Sequence, residues 1–429
     1  HRSSVATETL RVHQALKSNI RRRVSHAPRS SNNDTFLSRA VDTRHPYKIL
    51  HRCPRPRSCA CSTTHNRRIM TPTQYATSST VICVSKTVRS SSVTLLDFEV
   101  NYHMKAVFLD FATMGPGLDI SALQALLPEL EIFDLTSDMQ TAERIEGAHV
   151  ILTNKIRLSE ELLSNCPTLR VIGLTATGTD NIDLDAAKRY GIAVCNIRAY
   201  CTQSIAEHVF GCLLNLTRSL QQYSAAVRAG QWQDSANFCL LSFPIRELSG
   251  MTLGIIGYGE LGKGVANLAR SFGMEVIVSV RPGTQRTNDD RVAFEDVLRR
   301  ADVISLHCPL TAATAGMFAE IEFKKMKSNA ILINTARGGL VDSDALVTAL
   351  KSGEIAAASI DVLSKEPPVD GNPLLNYDGP NLMITPHIGW GSDQARQAAI
   401  DELTANIAAF IRGEERNRVV FSKKYSDHP

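Results

Sequence analysis

The sequence of 429 residues has few aromatic residues and no long hydrophobic run. Phe, Trp and Tyr make up 6% of the chain, and no run approaches the roughly eighteen apolar residues that a membrane-spanning helix needs. We therefore expect no membrane partner. Hydrophobic content of 43% and charged content of 21% are typical of a globular protein. The length exceeds what one core fills, so we expect two domains and a further segment.

Acidic residues are scarce at the start of the chain. Residues 1–103 hold 17 Lys and Arg against 5 Asp and Glu, whereas residues 104–429 hold 30 against 38. The net charge of +4 therefore sums a basic extension and an acidic body. An acidic surface repels phosphate, which argues against nucleic acid as a partner of the body.

The basic extension, residues 1–103, lacks apolar periodicity and is rich in Ser, Thr and Arg. Too little apolar surface is available to offset the entropy of ordering, so we expect this segment to be disordered. Three interpretations stay open: sequence translated upstream of a start at Met104, an organelle transit peptide, or a basic arm for nucleic acid. We expect a cytoplasmic protein, or an organellar one if the extension is a transit peptide.

Cysteine spacing predicts neither a metal site nor a disulfide framework. The six cysteines after residue 103 form no CxxC pair. In the extension, Cys53, Cys59, Cys61 and His65 fit no standard zinc module. We expect reduced thiols and no metal.

From Met104 onward, short apolar runs alternate with stretches of helical periodicity. This alternation predicts parallel sheets with crossover helices. A single long helix is predicted over 204–230. The runs predicted as strands are 106–111, 131–135, 149–153, 171–175, 193–197, 252–257, 275–280, 303–308, 330–335, 357–363 and 382–386.

The predicted fold is α/β with two domains. A flavodoxin-like substrate domain would comprise 104–203 and 390–415, because the helical periodicity of the last segment can return the chain to the first domain. A Rossmann-type, doubly wound nucleotide-binding domain would comprise 204–389, and 416–429 would form a C-terminal tail. The site should lie between the domains, at the carboxyl ends of the strands.

The motif GYGELG at 257–262 follows an apolar run and precedes a helical stretch, the context that a dinucleotide-binding fingerprint needs. Gly257 permits a tight turn, Gly259 lets the backbone approach a pyrophosphate, and Gly262 lets helix and strand pack closely. The free N–H groups of the helix N-terminus would bind the phosphates. A glycine-rich turn without a ligand is the alternative. The residues predicted to bind the dinucleotide here are Gly257, Tyr258, Gly259, Glu260, Leu261 and Gly262.

A carboxylate is missing where NAD sites usually carry one. The second strand of this unit reads EVIVSVRPGT, so Val280 occupies the expected position and Arg281 follows it. No carboxylate there repels a 2′-phosphate, and Arg281 and Thr284 could bind one. We therefore predict that NADPH is accepted alongside NADH. The alternative is that Arg281 is a solvated turn residue.

Three later motifs supply an Arg, a Glu and a His in that order: NTARGGLVD at 334–342, DVLSKEPP at 361–368 and TPHIGW at 385–390. Together with the fingerprint, they resemble the D-isomer-specific 2-hydroxyacid dehydrogenases over essentially all of 104–429. GTDNIDL at 178–184 and SIAEH at 204–208 are most similar to the glycerate dehydrogenase, or hydroxypyruvate reductase, branch.

The resemblance implies an oxidoreductase that transfers a hydride between NAD(P)H and a 2-oxo acid. Hydroxypyruvate, reduced to D-glycerate, is the expected substrate, with glyoxylate as a second one. Arg337 would bind the carboxylate and carbonyl oxygens, and His387 would exchange a proton with the carbonyl oxygen. Glu366 would hold the imidazole and stabilise its protonated form.

The resemblance also implies the residues that line the two sides of the cleft. Backbone N–H groups at Thr177 and Gly178 would bind the substrate carboxylate, and Lys155 would face the cleft. Family members are usually homodimers, and the 204–230 helix with the 231–248 loop is the expected interface. The expected cofactor groove consists of Thr202, His307, Pro309, Thr335, Ala336 and Asp361, the last beside the carboxamide.

Two other functions stay open at this stage. The enzyme could reduce a different 2-oxo acid, because the sequence does not fix the size of the pocket. A dinucleotide-sensing corepressor shares this fold and can keep the Arg, Glu and His set. A measurement of turnover distinguishes the corepressor from an enzyme.

Overall fold

The computed structural model describes residues 104–280 and 290–421. The basic extension, Arg281, Thr284 and residues 422–429 lie outside this part of the chain. Predictions that concern them therefore stay predictions.

Within the described residues the strands form two six-stranded sheets. The strands are β1 Ala106–Phe108, β2 Leu130–Ile132, β3 Val150–Thr153, β4 Val171–Leu174, β5 Ala193–Cys195, β6 Thr252–Ile256, β7 Glu275–Val278, β8 Val303–Leu306, β9 Ile331–Asn334, β10 Ala357–Ile360, β11 Leu382–Ile384 and β12 Arg418–Val420.

Helices connect the strands and flank both sheets. They are α1 Ser121–Leu126, α2 Asp138–Ile145, α3 Glu160–Ser164, α4 Leu184–Arg189, α5 Thr202–Arg218, α6 Leu220–Arg228, α7 Glu260–Ser271, α8 Phe294–Arg300, α9 Glu320–Lys325, α10 Ser343–Ser352 and α11 Asp393–Ile411. Short 3-10 helices occupy Phe111–Met114, Gly338–Leu340 and Pro373–Asn376.

The first sheet has the strand order β12-β5-β4-β3-β1-β2. Strands β1 to β5 are parallel, and their order is the flavodoxin-like order. Strands β1, β3, β4 and β5 are buried along their whole length. Layers cover both faces of such a sheet, which is why these strands read as continuous apolar runs rather than alternating ones.

The second sheet has the order β11-β10-β9-β8-β6-β7, with all pairs parallel. Beyond β7, Ser279 forms a parallel bridge with Val292. In a Rossmann sheet the third strand of the chain lies at this edge, beside the second strand, and the bridge occupies that position. The strand order therefore matches the doubly wound Rossmann fold. The predicted α/β fold class is therefore confirmed.

The prediction of a single helix over 204–230 is wrong, because the structure has two helices there. Ser219 separates α5 from α6 with a left-handed φ of 50°, and its hydroxyl donates to the carbonyl of Pro244 at 2.8 Å. Both helices are amphipathic, so hydrophobic spacing does not reveal the break.

The segment predicted as a C-terminal tail begins with a strand. β12 pairs antiparallel with β5 at the edge of the first sheet. With three residues it is too short for its side-chain alternation to be recognised in the sequence.

Helix α11 returns the chain from the second sheet to the first. A Cβ atom on Gly173 of β4 would lie 2.7 Å from Leu403 and 3.1 Å from Ile407. The helix therefore packs directly on the strand because Gly173 has no side chain. Within the described ranges, no helix combines the length and apolar composition needed to cross a bilayer.

We expect Leu403→Ala to lower the free energy of unfolding by about 3 kcal/mol, because it leaves a cavity between α11 and β4. Leu403 is fully buried, and urea denaturation followed by circular dichroism measures the loss. Met139→Ala is the control, since Met139 is 92% exposed and its removal should change stability by no more than about 0.5 kcal/mol. Equal stability of the two variants would disprove this packing role.

Candidate active site

One cleft collects residues that follow strands of both sheets. Loops after β3 and β4 form one side, and loops after β9, β10 and β11 form the other. Eight residues singled out in the sequence line it: Lys155, Thr177, Gly178, Leu261, Thr335, Arg337, Asp361 and His387.

His387 and Glu366 form a hydrogen-bonded pair. Nδ1 of the imidazole lies 2.6 Å from Oε2 of Glu366, and Oε1 accepts from the backbone N–H of Leu363 at 2.7 Å. Burial alone would raise the pKa of Glu366, but the bond to His387, the Leu363 N–H and the charge of Lys155 outweigh it, so this pKa is lowered. The carboxylate is therefore ionised near neutral pH, and Nε2 is the ring nitrogen left to exchange a proton.

Asp361 fixes the turn that carries His387. His387 has a left-handed φ of 56°, a conformation that costs about 1–3 kcal/mol in a non-glycine residue. The buried carboxylate of Asp361 accepts from Thr385 Oγ1 at 2.5 Å, Ile388 N at 2.9 Å and Gly389 N at 2.8 Å. Its carbonyl accepts from His387 N at 2.7 Å. These four bonds offset the strain and set the direction of the imidazole.

Arg337 reaches across the cleft from the end of β9. The Asn334 side chain braces the turn, since its Nδ2 donates to Arg337 O at 2.9 Å and its Oδ1 accepts from Ala336 N at 3.0 Å. A Cβ atom on Gly178 would lie 2.1 Å from Nη2 of Arg337. The guanidinium thus lies against the Thr177–Gly178 turn, and together they suit a carboxylate.

Asp110, which the sequence analysis missed, organises the opposite side of the cleft. Its buried carboxylate accepts from Thr153 Oγ1 at 3.1 Å, Asn154 N at 2.9 Å and Lys155 N at 2.7 Å. Burial lowers the pKa of Lys155, and the charge of Arg337 lowers it further. The position of Asp110 just after β1, at the switch point of this sheet, is the feature that could have revealed it.

The glycine turn after β6 fits a dinucleotide. Gly257 has a φ of 96°, and a Cβ atom there would lie 2.5 Å from Cys308 N. A Cβ atom on Gly262 would lie 2.2 Å from Gly257 O, whereas the space beside Gly259 is open. The turn therefore exposes backbone at the N-terminus of α7, which is the arrangement that binds a pyrophosphate.

The remaining predicted groove residues lie around this turn or border the cleft. Thr202 Oγ1 donates to Glu260 Oε1 at 3.2 Å. Burial lowers the pKa of His307 to about 4, so the ring is neutral, and its Nε2 lies 2.8 Å from Ser305 Oγ. Thr335 Oγ1 is buried with no hydrogen-bond partner among the described residues. A buried hydroxyl normally has a partner, so this one is suited to bind a ligand in the cleft. Tyr258 and Ala336 are half-buried, and Pro309 is exposed.

Six further residues line the cleft without having been predicted as site residues. Tyr200 and Trp390 meet edge to face with ring centroids 6.4 Å apart. Burial raises the pKa of the Cys201 thiol to about 11, so this cysteine is not an activated nucleophile. Among the described residues no His, Cys, Asp or Glu cluster could hold a metal ion. The lining residues outside the predicted site are Asn154, Ala176, Tyr200, Cys201, Ile205 and Trp390.

Comparison with known proteins identifies the family. The model of the NAD-binding domain of D-isomer specific 2-hydroxyacid dehydrogenases matches residues 210–389. Glycerate dehydrogenase of Methylorubrum extorquens is 43% identical over 318 residues, covering 73% of this chain and 98% of that protein. The chain belongs to the D-isomer specific 2-hydroxyacid dehydrogenase family.

Two further relatives of this dehydrogenase agree. Hydroxypyruvate reductase of Blautia hydrogenotrophica is 36% identical over 323 residues, covering 74% of this chain and 99% of that protein. The structure of D-lactate dehydrogenase from Aquifex aeolicus, complexed with NAD and lactic acid, has a TM-score of 0.65 and 31% identity, covering 74% and 100% of the two chains. The prediction of a nicotinamide-dependent 2-hydroxyacid dehydrogenase is confirmed.

We expect Glu366→Gln to lower kcat/KM for 2-oxo acid reduction by about tenfold or more, because the amide keeps the shape of the side chain but removes the negative charge beside His387. The measurement is kcat/KM near neutral pH. Glu320→Gln on the exposed side of α9 is the control and should match the wild type. An unchanged kcat/KM in Glu366→Gln would refute the role of this charge.

Proposed function

We propose that this dehydrogenase reduces hydroxypyruvate to D-glycerate with NAD(P)H and accepts glyoxylate as a smaller second substrate. The observation that carries the proposal is the pairing of His387 with Glu366 in the same cleft as Arg337. The similarity to a glycerate dehydrogenase and a hydroxypyruvate reductase supports the choice of substrate.

In the proposed reaction, Arg337 and the N–H groups of Thr177 and Gly178 bind the substrate carboxylate. A second N–H of the guanidinium polarises the C2 carbonyl. NAD(P)H, which the glycine turn of Gly257, Gly259 and Gly262 would hold, would supply the hydride for C2. His387 gives its Nε2 proton to the carbonyl oxygen, and Glu366 stabilises the imidazolium before the transfer. The product is a 2-hydroxy acid, and His387 regains a proton from solvent.

The surroundings of the cleft support a small, polar substrate. Tyr200 and Trp390 restrict one side with aromatic rings, and Lys155 brings an ammonium group to another. The hydroxyl oxygen on C3 of hydroxypyruvate can accept a hydrogen bond from Lys155, whereas the methyl group of pyruvate cannot. Hydroxypyruvate therefore suits the cleft better than pyruvate, which remains the second candidate.

We also propose that the enzyme accepts NADPH alongside NADH. Val280 follows β7 and is buried, so no carboxylate stands at this position to repel a 2′-phosphate. A contribution of Arg281 stays a prediction, since this residue lies outside the described ranges.

The proposed domain division is 104–203 with 390–415 for the substrate and 204–389 for the cofactor. Helix α11 packs on the first sheet through Leu403 and Ile407, which supports its assignment to the substrate domain.

The test is oxidation of NADH and of NADPH by the full chain with hydroxypyruvate, glyoxylate and pyruvate. We expect the highest kcat/KM with hydroxypyruvate and a loss of about a thousandfold or more in His387→Ala, which lacks the proton donor. Cofactor fluorescence titration verifies that the variant still binds NAD(P)H.

Two results would count against this proposal. No turnover with any pair, despite tight cofactor binding, would favour a dinucleotide-sensing protein. A preference for NADH of about a hundredfold or more would refute the use of NADPH.

We propose a homodimer formed through the segment 204–230, which comprises most of α5 and all of α6, and the loop over 231–248. Phe238 is 91% exposed and Leu241 is 77% exposed, and Leu220, Trp232 and Ile245 add exposed apolar surface in the same segment. Several exposed apolar side chains in one segment are typical of an interface. A second copy of the chain could cover it, as expected for a family of dimers.

We expect the double variant Phe238→Asp and Leu241→Asp to have the mass of a monomer in light scattering after size exclusion, because burying two carboxylates opposes association. The matched control is Met139→Asp on α2, which is equally exposed and should stay dimeric. A dimeric double variant would show that the interface lies elsewhere.

The proposed location is the cytoplasm, or an organelle if residues 1–103 act as a transit peptide. The six cysteines of the described residues are free thiols, which is typical of a reducing compartment.

A further inference from the structure

The guanidinium of Arg337 is held by two acceptors on two of its nitrogens. Nη1 donates to the carbonyl of Ala336 at 2.8 Å. Nε donates to Oδ2 of Asp180 at 3.3 Å, and Nη2 is the nitrogen that lies against Gly178. Asp180 follows β4 in the first sheet, whereas Arg337 follows β9 in the second. This ion pair therefore spans the cleft.

Two bonds on different nitrogens fix the plane of a guanidinium. The group is planar, and its five N–H donors point in fixed directions. With Nε and one N–H of Nη1 engaged, the N–H groups of Nη2 point toward the Thr177–Gly178 turn. A carboxylate that binds the backbone N–H groups of this turn then meets Nη2 without reorientation of the arginine side chain.

The loop that carries Asp180 is itself braced. The carbonyl of Asn181 accepts from Leu158 N at 2.8 Å, and Asn181 Nδ2 donates to Ile156 O at 2.9 Å. Ile182 forms a parallel bridge with Leu158. The Asp180 carboxylate therefore extends from a fixed backbone and can hold the guanidinium of Arg337 in one position.

This ion pair is poorly suited to stabilising the fold. The side chain of Asp180 is 73% exposed, and that of Arg337 is 38% exposed. Exposed pairs add little to folding stability, because water and salt screen the attraction. The ion pair therefore matters more for the orientation of the Arg337 side chain than for the stability of the fold.

We propose that Asp180 is a positioning residue that orients Arg337 for the carboxylate of the substrate. The inference rests on the proposed function, in which Arg337 binds that carboxylate. Asp180 itself touches neither the reacting carbon nor the transferred proton. Its effect should therefore appear mainly in substrate binding, with a smaller effect on the chemical step because Arg337 also contacts the C2 carbonyl in the proposed reaction.

The experiment compares Asp180→Ala and Asp180→Asn with the wild type. For Asp180→Ala we expect the KM of the 2-oxo acid to rise about tenfold and kcat to fall by no more than about threefold, with the KM of the cofactor unchanged, because a misdirected guanidinium weakens carboxylate binding more than it weakens the contact with the carbonyl. Asp180→Asn keeps an acceptor for Nε and should recover part of the loss. Asp185→Ala, which removes an exposed carboxylate from α4, is the control and should match the wild type.

Calorimetric binding of oxalate to the cofactor-loaded protein provides a readout that needs no turnover. We expect Asp180→Ala to weaken oxalate binding by a factor similar to the rise in KM. If the wild type binds oxalate but turns over no 2-oxo acid, the proposed function fails and the role of Asp180 can still be judged. Thermal unfolding shows whether each variant is folded.

Two outcomes would overturn the proposal. A lower KM and tighter oxalate binding in Asp180→Ala would show that Asp180 competes with the substrate for Arg337. Unchanged KM and unchanged oxalate binding would show that the ion pair has no part in orienting the arginine.

Discussion

The buried carboxylate of Asp361 is the constraint on which the rest of the site depends. It accepts three hydrogen bonds from the turn that follows β11, and its carbonyl accepts a fourth. A buried charge is costly unless such donors surround it, so the carboxylate and the turn stabilise each other. His208 of α5 lies 3.2 Å from Thr385 and closes the cluster from the other side. The position of His387, and hence its pairing with Glu366, follows from this arrangement.

Each sheet contributes its own switch point to the cleft. In the first sheet the strand order reverses between β1 and β3, where the carboxylate of Asp110 accepts a hydrogen bond from the backbone N–H of Lys155. In the second it reverses between β6 and β8, where Gly257 packs on the backbone of His307 and Cys308. Open α/β sheets bind ligands at these points. Two such sheets facing one cleft therefore provide one place for an acid and another for a dinucleotide.

Much of the fold and the polar centre of the site follow from local patterns. The eleven strands of the parallel ladders are apolar runs, and Arg337, Glu366 and His387 lie in distinctive motifs. What the patterns missed depends on long-range contacts. Ser219 breaks a continuous amphipathic stretch because its hydroxyl reaches Pro244, and β12 exists because β5 offers a free edge. Asp110 and Asp180 matter through partners far away in the chain, which spacing does not reveal.

The chain passes twice between the two sheets, and hydrogen bonds connect the two connecting segments. The first passage leads into α5 and the second into α11, and Ser204 Oγ donates to Gly389 O at 2.7 Å while accepting from Ser392 N at 3.4 Å. A hinge consists of a few such residues at the ends of elements. A rotation of one sheet against the other would bend the chain at these residues, two positions from His387. Such a rotation would displace His387 less than Thr177 and Gly178, which lie after a strand of the first sheet.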